Sequence, residues 1–119
     1  MTLAEAPFQL SEAPSATELV AKYFRALGDP TRLRILELLG EEELSVGQIV
    51  ERLGLPQPKV SNHLACLRWC GFVASRREHR VIHYRVRDDR VIAAIDLARS
   101  LLADNAEHVR ACATIDGQC

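Results

Sequence analysis

The stretch LSVGQIVERLGLPQPKVSNHLACLRWCG, residues 44–71, decides the fold of this 119-residue chain. Ser45 followed three residues later by Gln48 is a capping box, which predicts a short helix that ends near Gly54. The turn LPQP follows, and Pro58 suits the first position of a second helix that continues to the end of the stretch. Two short helices joined by a few turn residues are typical of a helix-turn-helix.

The residues before this stretch predict two more helices. Ser15 and Glu18 form another capping box, and an apolar pattern of helical period continues from there to Gly28. Asp29 and Pro30 then provide a cap and a first-turn proline for a second, leucine-rich helix. Two helices are therefore expected to precede the helix-turn-helix in the chain.

The period of the pattern changes after the helix-turn-helix. FVASRREHRVIHYRV, residues 72–86, alternates apolar and polar side chains and predicts two strands around a turn at residues 78–80. A long helix with a broad apolar stripe follows from Asp88, and so apolar a helix in so small a domain is expected to pack against a second copy of itself. We predict a mainly α fold with a β-hairpin wing: a winged helix-turn-helix that forms a homodimer through its terminal helices.

Composition and patterning predict the domain organisation and the location. Hydrophobic residues make up 48% and charged residues 26%, as in an ordinary globular domain. We predict a flexible N-terminal arm (1–14), a DNA-binding and dimerisation domain (15–109) and a cysteine-bearing tail (110–119). No apolar run approaches the roughly 20 residues needed to cross a bilayer, and the first residues lack a signal-peptide pattern. We therefore expect a cytoplasmic protein with no membrane partner.

The charge is unevenly distributed, which points to a nucleic acid. Residues 57–90 contain eight basic and three acidic residues, a net charge of +5, whereas the rest contains seven basic and thirteen acidic residues, −6. Short polar side chains early in the second helix suit the major groove, and cations on helix and wing suit phosphates. The predicted contacts to double-stranded operator DNA are Gln57, Lys59, Ser61, Asn62, His63, Arg68, Arg76, Arg77 and Arg80. A solvated polar face is the alternative, and His63 could instead be a packing residue.

Two cysteines, Cys66 and Cys70, lie one turn apart on one face of the same helix. The other two, Cys112 and Cys119, are near the C-terminus. Because a reducing compartment keeps thiols free and thiolates prefer soft ions, we predict a metal site made by Cys66, Cys70 and Cys112, with Cys119 as a candidate fourth ligand. Three thiolates suit lead or arsenite, and a further donor suits cadmium. Packing beside the core and a redox pair remain the alternatives.

Three segments together resemble the ArsR/SmtB family of bacterial metal-responsive repressors: LGDPTRLRILELL (27–39), VSNHLACLRWCGFV (60–73) and HYRV (83–86). The likeness spans about residues 19–103. The run SNHLACLRWCG with a later Cys112 is most similar to the mycobacterial cadmium- and lead-sensing members. In those proteins two cysteines of the recognition helix and one C-terminal cysteine of the other subunit hold the metal.

Two other metal sites of the family are missing here. Where one site has Cys-x-Cys, this chain has Ser45 and Gly47. The site on the last helix keeps Asp96, but its partner positions hold Ala98, Val109 and Cys112. The resemblance therefore implies that the remaining metal site of the family, the one built on the cysteine pair of the recognition helix, is the one present here.

The resemblance implies a repressor that binds its operator as an apo dimer and dissociates when it binds Cd(II) or Pb(II), ahead of As(III) or Zn(II). An arsenite-responsive or a thiol-redox-switched repressor on the same fold is the alternative. We expect neither an enzyme nor a small organic substrate, because Cys66 with His63 as its base would lack an orienting third group and oxyanion donors.

Overall fold

The computed structural model describes residues 13–112, which form five helices and three short strands. In chain order these are α1 (Ala16–Leu27), α2 (Pro30–Leu39), β1 (Leu44–Ser45), α3 (Val46–Leu53), α4 (Gln57–Trp69), β2 (Val73–Glu78), β3 (Val81–Val86) and α5 (Asp89–Ala111). The predicted mainly α fold with a hairpin wing is confirmed. Within the described range, no helix has the length and apolar character that a membrane crossing requires. Cys119 lies outside the described residues.

The predicted helix starts are built by their capping side chains. At α1 the Glu18 amide donates to Ser15 Oγ at 3.1 Å, and the Ser15 amide donates to Glu18 Oε1 at 2.8 Å. Ser45 and Gln48 repeat this exchange at the start of α3, at 3.2 and 2.9 Å. Asp29 caps α2 by accepting from the Arg32 amide at 3.0 Å. Each cap satisfies donors that the first turn of a helix leaves free.

Helix α4 differs from its prediction at both ends. It begins at Gln57, with Pro56 as its cap residue, so Pro58 occupies the second position and not the first. Either position tolerates proline, since neither amide has a partner within the helix. The helix ends at Trp69, and Gly71, with φ +82°, turns the chain toward β2.

The three strands form an antiparallel sheet in the order β1-β3-β2. Strands β2 and β3 pair from Val73↔Val86 to Glu78↔Val81, and His79 and Arg80 make the two-residue loop at the tip of the wing. The unpredicted strand β1 is two residues long and pairs Leu44 with Tyr84. It joins the start of α3 to the base of the wing.

The core lies between α2, α3, α4 and the start of the wing. Val60, Leu64 and Leu67 of α4 are completely buried, as their spacing predicted. Burying each such side chain stabilises the fold by about 1.5–3 kcal/mol. These three residues fix which side of α4 faces the core. They thereby also fix where the two other sides of the helix, its two flanks, lie.

A second apolar surface remains exposed on α1 and α5. Its large exposed side chains include Leu19, Val20, Phe24, Leu97, Leu101 and Leu102. Part of it forms a groove of about 520 Å³ between α1, α2 and α5, lined by Phe24, Leu33, Ala98 and Leu102. Contiguous apolar surface of this kind marks a site of protein contact.

Candidate functional site

The start of helix α4 and one of its flanks are open to solvent. Gln57, Lys59 and Asn62 are exposed near the start of the helix, and Ser61 is half-buried. Arg68, two turns beyond Ser61 on the same flank, is also exposed. Polar groups held this way on a rigid helix are available to base edges and phosphates.

His63 is the predicted DNA residue that points elsewhere. Its side chain is 17% exposed, and Nδ1 accepts a hydrogen bond from Arg32 Nε at 3.2 Å. The same nitrogen lies 3.8 Å from Asp29 Oδ2. These contacts hold His63 against α2 and favour the packing alternative, while its contact with DNA stays a prediction.

The three wing arginines divide into one that is paired and two that are free. Arg76 donates to both carboxylate oxygens of Glu43 at 2.9 Å and to Glu78 at 3.2 Å. The hydrogen bond from Arg76 lowers the pKa of Glu43, and those carboxylates raise the pKa of Arg76. Arg77 and Arg80 are exposed, and neither forms an ion pair with any residue from 13 to 112.

The Cys66 and Cys70 thiols lie together on the other flank of α4. Cys66 is half-buried, Cys70 is exposed at the end of the helix, and the Cys70 amide donates to the Cys66 carbonyl at 3.0 Å. The pKa of the Cys70 thiol is raised, first by desolvation and then by the charge and hydrogen bond of Cys66. Two soft donors one helical turn apart on the same flank are a suitable pair for one thiophilic ion.

Two cations from neighbouring helices face this pair. Lys22 of α1 and Arg32 of α2 lie near enough to Cys70 for their charges to oppose the rise in its pKa. Packing of the Tyr23 ring on Phe72, with ring centroids 4.4 Å apart, places α1 beside the end of α4. Sequence reasoning missed both cations, because no local pattern shows that α1 and α2 approach this flank.

Cys112 does not join the pair within one chain. It caps the C-terminal end of α5, a helix of 23 residues and therefore about 35 Å long. The opposite end of α5 lies beside the end of α4, since Gly71, Asp88 and Val91 line one small cavity. Accordingly, no group of three His, Cys, Asp or Glu side chains that could hold a metal ion occurs in the described part of the chain.

The fold and the open α4 surface define a winged helix DNA-binding protein, and the comparisons with known proteins give its family. Residues 29–75 match the model of the bacterial regulatory protein arsR family. The chain is 44% identical over 101 residues to the probable mercury resistance operon repressor of Streptomyces lividans, covering 85% of this chain and 81% of that protein. It is 42% identical over 85 residues to the HTH-type transcriptional regulator CmtR of Mycobacterium tuberculosis, covering 71% and 72%.

A solved structure extends the comparison to the fold. It is the homodimeric winged helix-turn-helix DNA-binding domain of a possible ArsR-family regulator from Mycobacterium bovis, with a TM-score of 0.70 and 26% identity. The match covers 90% of this chain and 95% of that one. The chain belongs to the arsR family of bacterial regulatory proteins. It is a DNA-binding transcriptional regulator and not an enzyme, as predicted.

Proposed function

We propose that this regulator is a metal-responsive repressor that binds operator DNA as an apo homodimer and releases it on binding a thiophilic ion, Cd(II) or Pb(II). The observation that carries the proposal is that one helix places Cys66 and Cys70 one turn apart on one flank and presents Asn62 and Arg68 to solvent elsewhere on its surface. One helix thus carries both the candidate metal ligands and the candidate DNA contacts. The protein acts in the cytoplasm, where reducing conditions keep thiols available.

The dimer follows from the exposed apolar surface of α1 and α5. That surface includes Leu97 and Leu101, both more than 60% exposed, and the similar M. bovis domain is homodimeric. Two copies that pair through these helices would hold their α4 helices at a set distance. Such a distance is what a two-fold symmetric operator requires.

The same dimer would complete the metal site. If α5 runs antiparallel to its copy, the far end of the partner's helix lies beside the start of α5. The start of α5 is next to the end of α4, so Cys112 of the partner subunit would meet Cys66 and Cys70. We retain the arm (1–14), the domain (15–109) and the cysteine-bearing tail (110–119) as proposed units, although α5 continues past the second boundary to Ala111. Cys119 is a candidate fourth ligand from the same tail.

The energetic requirement for release is modest. Metal weakens DNA binding only through a difference in affinity between the DNA-competent state and another state. A hundredfold loss of DNA affinity requires a coupling free energy of about 2.7 kcal/mol, well below the roughly 10–16 kcal/mol that thiolate-rich zinc sites provide. The tether between Cys70 and the partner's tail can supply this difference by favouring one orientation of α4.

A second candidate effector is Hg(II). Two thiolates satisfy its preference for linear coordination, and Cys66 and Cys70 form such a pair without a third ligand among residues 13–112. The S. lividans relative is named a probable mercury resistance operon repressor. Arsenite and a thiol-redox switch are the remaining alternatives on the same scaffold.

Ultraviolet titration of the reduced protein tests the proposal. With cadmium or lead, the parent should develop a thiolate-to-metal absorption band that Cys66→Ser, Cys70→Ser and Cys112→Ser each weaken, and the bound ion should release operator DNA. Sensing of Hg(II) by the pair alone predicts that Cys112→Ser leaves the mercury response intact. A redox switch predicts a disulfide and no band. DNA release at the same cadmium concentration in the parent and in Cys70→Ser would refute thiolate sensing.

A further inference from the structure

Arg32 joins three helices at the thiol flank of α4. Its Nη1 donates to the Ala26 carbonyl at 3.2 Å, and its Nε donates to His63 Nδ1, also at 3.2 Å. Ala26 is in the last turn of α1, where carbonyls lack partners within the helix. A single side chain of α2 thus ties the end of α1 to the middle of α4, and it is only partly exposed.

The histidine that Arg32 holds shares its face of α4 with both cysteines. Cys66 follows His63 by three residues and Cys70 by seven, spacings that place all three side chains along one side of a helix. The guanidinium therefore contacts the flank on which the proposed metal site is built. Its charge reaches Cys70, together with that of Lys22.

Metal binding would change the charge that this guanidinium faces. Thiols are neutral, whereas a divalent ion held by three thiolates, with the released protons going to solvent, has a net charge of −1. A permanently charged guanidinium beside it is attracted, because the half-buried flank screens the charges less than water does. Movement of Arg32 toward the metal site would weaken its bonds to His63 and to the Ala26 carbonyl.

We infer that Arg32 is a positioning residue that couples occupation of the Cys66–Cys70 site to the orientation of α4 relative to α1. This inference rests on the proposed metal response. Helix α1 carries part of the apolar surface proposed for the dimer, and α4 carries the residues proposed to read DNA. The Arg32 bridge therefore connects the helix proposed to set the dimer geometry with the helix that carries the proposed metal site.

The experiment measures the DNA affinity of the full chain with and without cadmium. The DNA is a duplex selected from a random-sequence library by the parent protein. The variants are Arg32→Lys, which keeps the charge but not the two-armed contact, and His63→Ala, which removes the acceptor. His63→Asn, which can place an oxygen near the position of Nδ1, tests for rescue. Arg34→Lys changes an exposed arginine of the same helix and is the matched control.

The ratio of the two DNA affinities is the decisive readout. If cadmium weakens the parent's binding about a hundredfold, within the roughly 5–150-fold range usual for allosteric coupling, Arg32→Lys and His63→Ala should each reduce that factor below about ten. His63→Asn and Arg34→Lys should keep the parent's factor. A merely structural Arg32 would lower the melting temperature and the apo affinity while leaving the factor unchanged, and that result would overturn the inference.

Failure of the proposed function itself is distinguishable in the same data. A parent that keeps its DNA affinity in cadmium and, in a second series, in lead refutes the proposed metal response, and the inference with it. A parent that responds while Arg32→Lys and His63→Ala respond equally refutes only the role of Arg32. If Arg32→Lys fails to fold, the comparison of His63→Ala with His63→Asn decides.

Discussion

The two flanks of helix α4 differ in what surrounds them. On one flank, Arg68 is exposed, and no described residue forms an ion pair with it. On the other, His63 is held by Arg32, and Cys70 faces the cations of α1 and α2. Between them, Leu64 and its neighbours anchor the helix in the core.

This difference fits a division of labour. A surface that reads DNA must be free of intramolecular partners, because each partner would have to be displaced on binding. A surface that senses an ion must contact the rest of the molecule, because a change without differential contacts cannot shift an equilibrium. The open flank is suited to the first role and the Arg32 flank to the second.

Replacing Leu64, which holds α4 in the core, should impair both flanks of the helix together. Leu64→Ala removes a completely buried side chain and should lower the free energy of unfolding by about 2–5 kcal/mol, with both DNA and metal binding lost as the fold is lost. Urea denaturation followed by circular dichroism measures this. The exposed neighbour gives the control, since Ala65→Ser should change stability by no more than about 0.5 kcal/mol. Equal stabilities of the two variants would contradict the assigned inward side.

Changing the thiol flank alone should affect the metal and spare the DNA. If four-ligand zinc sites provide roughly 10–16 kcal/mol, the loss of one thiolate should weaken cadmium binding by about 3 kcal/mol, or roughly a hundredfold. Cys70→Ser should therefore lose cadmium affinity in competition with a chelator, while its apo DNA affinity and melting temperature match the parent's. A comparable loss of apo DNA affinity would show that the two flanks are not separate.

Replacing a residue on the open flank should weaken DNA binding and leave metal binding unchanged. Arg68→Ala removes an exposed cation and should reduce the slope of log affinity against log salt by about 1, with weaker DNA binding on all sequences. Fluorescence anisotropy across a salt series measures the slope, and cadmium affinity should be unchanged.

On the wing, Arg77→Ala should cost more DNA affinity than Arg76→Ala, since Arg76 is already paired with Glu43. The opposite order would refute this reading of the wing.

The smallest expected effect lies where α5 begins, beside the end of α4. Hydrogen bonds from Arg90 lower the pKa of Asp88 from 3.8 to about 2. Because the folded pKa is the lower one, the pairing stabilises the fold above pH 4 and this stabilisation is lost as the pH falls toward 2. Asp88→Asn keeps a capping oxygen but not the charge.

Melting temperatures measured across pH check this sign. Asp88→Asn should melt slightly below the parent at pH 7, and the difference should vanish toward pH 2. Asn105→Gln, at an exposed position of α5 without a titratable side chain, is the control and should show no such trend. A difference that grows as the pH falls would contradict the assigned pairing.

Local signals in the sequence predicted most of the fold. Capping boxes and the Asp29-Pro30 pair act within three residues, so they can be read directly and correctly locate the starts of α1 to α3. The inward side of α4 follows from helical spacing alone. Strand β1 was missed because two residues are too short to show alternation.

The surroundings of the candidate site depend on contacts that are distant in sequence. His63 meets Arg32 across 31 positions, and Arg76 meets Glu43 across 33. Residues so far apart produce no repeating pattern in the sequence. Arg76 was therefore predicted as a DNA contact, and its pairing with Glu43 was not. The proposed third ligand is harder still to predict, because α5 carries Cys112 away from the pair, and in our proposal a second chain would bring it back.

Mixing two inactive variants tests the shared metal site most directly. One chain has Cys66→Ser and Cys70→Ser, the other has Cys112→Ser, and the two are refolded together and titrated with cadmium. A site shared between subunits predicts that neither homodimer shows the full thiolate band, whereas the mixture recovers one site per heterodimer. A band in the parent that the mixture fails to recover would contradict the proposal that Cys112 of the partner subunit completes the site.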